Sequence, residues 1–119
     1  MAETSSNLIY KICAQALWRE AEANGRFDGA PVDLSDGYIH FSTAMQVGET
    51  AAKHFAGQAD LLLIAVKADR LGEALRWEPS RGGNLFPHLY AALPTETVHW
   101  VRPISVDANG QHVFPDLAP

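Results

Sequence analysis

One cysteine, Cys13, is all the sequence offers in 119 residues. A single thiol cannot close an internal disulfide, and without a Cys-x-x-Cys pair there is no dithiol redox chemistry. Basic residues are also scarce, nine Lys and Arg against fourteen Asp and Glu, for a net charge of −5. A protein that grips a nucleic-acid duplex needs a basic footprint, so duplex nucleic acid is not expected as a partner. No apolar run approaches the roughly 20 residues of a membrane span. The polar stretch Met1–Asn7 lacks the basic start and apolar core of a secretory signal. These absences lead us to expect a reducing, cytoplasmic location and no membrane. The histidines stand at positions 40, 54, 88, 99 and 112. None has zinc-type spacing to Cys or Asp, so no metal is expected. There is no Gly-x-Ser-x-Gly elbow and no phosphate-binding P-loop.

What is present suits a packed core: 47% apolar and 19% charged residues. The length predicts one domain, over residues 8–115 behind a frayed tail at 1–7. Leu8–Cys13 is β-branched and aromatic, with Lys11 its only charge, and reads as a strand. Ala14, Leu17, Trp18 and Ala21 mark the buried stripe of a helix ended by Asn24-Gly25. Arg26–Leu34, with Asp28-Gly29 and Pro31, reads as a loop. A second helix is expected over Ala44–Ala56. The continuous apolar run Leu61–Val66 reads as a strand buried on both faces. Ala68–Gly72 suggests a helical turn and Leu75–Glu78 a strand stopped by Pro79. Pro87 argues for an edge or a bend in Leu85–Tyr90. Thr97–Val106 reads as a strand kinked at Pro103. Asp107–Gly110 is a hairpin turn, with Gln111–Phe114 as its return strand. The fold class is therefore α+β, with a mixed or antiparallel sheet and two main helices.

Two stretches carry the candidate chemistry. In Asp36-Gly37-Tyr38-Ile39-His40-Phe41-Ser42-Thr43, a turn leads into an alternating strand on which Tyr38 and His40 share one face. This places His40 on an interior strand of the sheet, with Ser42 at its end before a helix N-terminus. Free N–H groups there suit an anionic ligand. The second stretch gathers Arg76, Glu78, Arg81, Gly82-Gly83, Asn84, His88 and Tyr90. Arg81 beside two glycines can approach a phosphate, and Glu78 can serve as a base or a ribose-hydroxyl acceptor. Both stretches are expected to line one pocket, with Tyr38, Phe86 and Tyr90 as its aromatic wall. A local alternative holds for each residue: His40 and His88 as hydrogen-bonded structural groups, Glu78 as a partner for Arg76, Arg81 as a solvated turn residue.

These stretches, with Leu8-Ile9-Tyr10-Lys11-Ile12 and Leu75-Arg76-Trp77-Glu78-Pro79, resemble the bacterial domain-of-unknown-function family numbered 952. The likeness runs in order from about residue 8 to residue 115. It implies a fold similar to the ADP-ribosyltransferases. Tyr38-Ile39-His40-Phe41-Ser42 is also similar to the His-x-His-hydrophobic-Ser strand of the tRNA 2′-phosphotransferases, with Tyr38 in place of their first His. That likeness implies that His40 bonds the nicotinamide-side ribose of NAD, with Ser42 nearby. The chain has no Gln/Glu-x-Glu triplet of the arginine-modifying transferases, and Glu78 is its one tempting acidic candidate.

Two functions follow as expectations. The first is an NAD- or ADP-ribose-binding enzyme of the ADP-ribosyl-transfer type. His40 and Glu78 would be its catalytic residues, and Tyr38, Ser42, Arg81, His88 and Tyr90 would bind the cofactor. The second is a non-catalytic nucleotide- or small-ligand-binding module on the same fold, which the missing triplet favours. A glutathione-dependent transferase has no support, since no thioredoxin-like half is present.

Overall fold

The computed structural model describes residues 8–117. The tail expected at residues 1–7 lies outside them. The chain is α+β, and every strand pair among the described residues is antiparallel. β1 (Leu8–Ala14) pairs along its whole length with β4 (Leu61–Lys67), which pairs in turn with β8 (Val98–Val106). β9 (His112–Val113) extends this sheet to the order β1-β4-β8-β9. A second sheet has the order β3-β6-β5, from β3 (Ile39–His40), β6 (Leu85–Leu89) and β5 (Leu75–Pro79). Paired backbone bonds between Tyr10 and Ser42, at 2.8 and 2.9 Å, tie the free edge of β1 to the end of β3. The sheets thereby curl into one another. A small pair, β2 (Arg26–Phe27) with β7 (Leu93–Pro94), sits beside them.

The period-two alternation of β1 and β4 sorts the core into two sides. Ile9, Cys13, Leu62, Ile64 and Val66 pack with Trp18, Phe27, Ile39, Phe41, Leu89 and Leu93. Leu8, Tyr10, Ile12, Leu63 and Ala65 pack instead with Val47, Ala51 and Ile104. Leu63 to Val66 have no exposure at all, as a strand covered on both faces requires. Trp18 and Ala21 are the buried residues of α1 (Gln15–Asn24), which closes at Gly25 with φ of 80°.

Several expectations change. Arg26–Leu34 is not a plain loop: it contains β2 and the start of a third helix, α2 (Pro31–Asp36). Pro31 at the first helical position and Gly37 in the left-handed conformation after the last are its start and stop signals. The following helix, α3, spans Val47–His54 rather than starting at Ala44. Residues 44–46 are held in a turn in which Gln46 reaches back to the Thr43 N–H at 3.0 Å. β3 is an edge strand, so His40 is not on an interior one. Conversely, β6 is the middle strand of its sheet despite Pro87. Phe41 N–H donates to the Pro87 carbonyl, so the polar edge of Pro87 faces β3. The β3–β6 ladder ends one pair earlier, at His40–His88, where no donor from Pro87 is needed. Pro103 leaves β8 continuous, at a position β9 does not cover. The irregularity in β8 falls at His99, between the pairs Ala65–Trp100 and Val66–Val98. No described helix is long and apolar enough to cross a membrane.

Candidate functional site

Strand register brings the two candidate stretches together. His40 of β3 and His88 of β6 are direct cross-strand partners, with ring centroids 5.7 Å apart. Glu78 and Arg76 come from β5, on the other side of β6. Tyr38 lies over the pair: its ring stacks on His88 at 4.1 Å and meets His40 at 4.7 Å and Tyr90 at 5.2 Å. Arg76 rests on the outer side of Tyr90, 4.8 Å from the ring centre.

Each histidine is held by carboxylate. His88 Nδ1 lies 2.7 Å from Glu78 Oε1, and the Tyr90 hydroxyl donates to that same oxygen at 2.7 Å. These two bonds hold the Glu78 carboxyl below its ordinary range, so it is ionised at neutral pH. Reciprocally, the bond to Glu78 pushes the Tyr90 phenol up. His40 is gripped at both ring nitrogens, by Asp33 at 2.6 Å on Nδ1 and by Asp36 at 2.9 Å on Nε2. In the imidazolium form both ring N–H groups have an acceptor.

Asp33 is the residue that sequence reasoning missed. It is 2% exposed and collects four donors: Lys11 Nζ, the His40 ring, and the backbone N–H groups of Ala30 and His40. Burial pushes its carboxyl up, but the bonds to His40, Lys11 and Ala30 outweigh this and hold it at about 2. Lys11, 4% exposed, is pushed down by burial against the opposing pull of Asp33. The signals were present in Pro31, Asp33 at the third helical position, and Gly37, with Lys11 the lone charge in an apolar strand.

A cleft of about 600 Å³ opens between β1, α2, the end of β3 and α3. Tyr38, His40, Ser42, Phe86 and His88 line it, with Phe41, Phe55, His54, Ser80 and Asp36. Tyr90 and Glu78 stand behind His88 and Tyr38 rather than on the wall. The Ser42 hydroxyl shares a hydrogen bond with Thr50 Oγ1 at 2.9 Å. At the following helix start, where an anion site is expected, several N–H groups are already engaged. The Thr43, Gln46 and Val47 N–H groups are all bonded within the turn, and that of Ser42 is bonded to Tyr10. The Arg81 side chain lies outside what the structure describes. Its backbone forms the Arg81–Gly83 turn, with Gly82 and Gly83 at φ of 67° and 83°. A second concavity, about 530 Å³, lies at Gln15, Arg19, Asp60 and Ser105 and holds none of the candidate residues. Among the described residues, no group of three or more His, Cys, Asp or Glu could hold a metal ion.

Cys13 borders the cleft but is 2% exposed, and burial pushes its thiol up to about 11. At about pH 8 the native protein should therefore resist iodoacetamide and react quickly once unfolded in guanidinium. Fast alkylation of the native form, read by mass spectrometry, would show that the thiol reaches solvent.

A family model described as a protein of unknown function, DUF952, matches residues 12–101. The crystal structure of protein CC0527 from Caulobacter crescentus is 53% identical, with a TM-score of 0.86, over 89% of this chain and 93% of that one. The solution structure of the same protein is also 53% identical, with a TM-score of 0.80, over 88% and 90%. No curated protein matches the chain.

Proposed function

The chain belongs to the DUF952 family of proteins of unknown function, and we propose that its cleft binds NAD or ADP-ribose for chemistry of the ADP-ribosyl-transfer type. One observation carries this reading: two carboxylate-held histidines face each other across β3 and β6 at the polar end of a largely apolar cleft. A nicotinamide riboside has a planar ring and a hydroxyl-rich sugar, and such a cleft suits both halves. A ribose hydroxyl displaces the exposed Asp36 carboxylate from His40 Nε2, with Ser42 beside it. Tyr38 and His88, backed by Tyr90, form the wall for the ring. Arg81, beside Gly82-Gly83, meets the pyrophosphate. Glu78, bonded to His88 Nδ1 behind the cleft wall, holds that ring and its charge in place.

A second reading, a binding module without catalysis, is favoured by one feature. The Glu78 Oε1 atom already accepts two hydrogen bonds, and Glu78 is not part of the cleft wall.

Thermal unfolding with NAD, ADP-ribose, unrelated nucleotides and glutathione tests the binding. At a hundredfold excess over Kd, a native-state ligand stabilises by about 2.7 kcal/mol, on the order of 10 °C here. NAD or ADP-ribose should give that shift and glutathione none, and His40→Asn should lose most of it. If neither NAD nor ADP-ribose moves the wild-type melting temperature, the reading fails.

A further inference from the structure

We propose that His88 is the base that activates the acceptor in this cleft and that Glu78 acts only through it, as a positioning residue; this rests on the NAD reading above. The two histidines are not equivalent. His40 has both ring nitrogens engaged, by Asp33 and Asp36. His88 has one, Nδ1, engaged by Glu78. His88 Nε2 has no hydrogen bond among the described residues. It is not sealed off either, because the one fully enclosed side-chain nitrogen or oxygen left without a partner there is Trp100 Nε1. His88 is only 4% exposed and lines the cleft, so the cleft is the open space beside its ring.

The surroundings decide which nitrogen carries the proton. Glu78 is an ionised carboxylate, acceptor only, so His88 Nδ1 is the donor. The neutral ring then holds its lone pair on Nε2, as a general base must. The Tyr90 hydroxyl fixes Glu78, and Tyr38, stacked at 24° to the His88 ring, opposes its rotation. With water as acceptor, Nε2 takes a proton from the water and the oxygen bonds to the anomeric carbon of NAD. The bond from that carbon to nicotinamide breaks, and its electron pair passes to the pyridinium nitrogen. Neutral nicotinamide leaves without needing an acid, ADP-ribose remains, and His88 later returns its proton to solvent. A hydroxyl acceptor would follow the same balance.

The test measures NAD binding by calorimetry and nicotinamide release by chromatography for wild type, His88→Gln and Glu78→Gln. Long-range ¹H–¹⁵N spectra of the free wild-type protein report the His88 tautomer. General-base assistance is typically worth 10²–10⁴-fold, so at saturating NAD His88→Gln should release nicotinamide at least ~100-fold more slowly, a loss larger than its loss of NAD affinity. Glu78→Gln should slow release by a smaller factor and admit the Nε2–H tautomer. The wild-type spectrum should show Nδ1–H alone, a result that does not depend on either variant folding. Binding without release in the wild type, equal release by wild type and His88→Gln, or a wild-type Nε2–H tautomer would overturn the base assignment and leave NAD binding intact. Absence of NAD binding to the wild type overturns the NAD reading, and this step falls with it.

Discussion

Asp33→Ala is expected to cost about 3–5 kcal/mol of folding stability, read as a lower midpoint in urea with little change in slope. Among the described residues the carboxylate is the only counter-charge bonded to Lys11, a cation on a strand with 4% exposure, and their contact is 2.9 Å. Removing it leaves an ammonium in the core and deprives the Ala30 and His40 N–H groups of their acceptor. Lys11→Met should cost less, because Asp33 then keeps His40 and both N–H groups. A cost below about 1 kcal/mol for Asp33→Ala would mean that water reaches the site on removal and the network is not a dry one. The same carboxyl sets an acid limit. Its folded value, about 2, is depressed below the ordinary 3.8. The stabilisation is therefore complete above about pH 4 and fades as pH falls through about 2, by roughly 2–3 kcal/mol in all. Asp33→Asn should flatten that part of the stability–pH curve; an unchanged acid limb would remove Asp33 as its source.

Trp18→Ala is the other substitution with a large expected effect, about 3–5 kcal/mol. Trp18 is 1% exposed and packs against Phe27 of β2 with ring centroids 5.6 Å apart. Its indole N–H donates to Glu22 one turn on, at 3.0 Å, so the side chain cannot slide to fill another gap. Truncation opens a cavity between α1, β2 and the β1–β4 face, the layer that also carries Leu17 to the cleft. Trp18→Phe should recover more than half of the loss. Denaturant unfolding with Trp18→Ala within about 1 kcal/mol of wild type would show that this layer collapses onto the space and that Trp18 is no keystone.

Both substitutions fall on residues whose weight is legible to very different degrees in the sequence. Trp18 is written into a helical stripe, and Leu61–Val66 into an unbroken apolar run. Burial follows from such local periodicity because a helix or strand has few ways to hide it. The left-handed glycine at Gly37, the alternation of Tyr38 to Phe41 and the Asp107–Gly110 hairpin were legible for the same reason, each depending on residues a few positions apart, whereas Asp36, read as part of a turn, ends a helix. The helix-start signals around Asp33 were legible, but its pairing with Lys11 was not. As one acidic residue in a stretch with turn-like glycines, it takes its meaning from Lys11, 22 positions earlier, and from a folded core that removes water from both. Pro87 misled for a related reason. A proline weakens a middle strand only if its missing N–H faces a neighbour that needs it, and register decides that. The sequence alone singled out His40, Glu78, His88 and Tyr90 as candidates for chemistry. Tertiary structure decided which nitrogen of each histidine is engaged, because α2 folds Asp33 and Asp36 back onto the His40 ring and the β5–β6 pairing sets Glu78 beside His88, geometries that residue spacing alone does not specify.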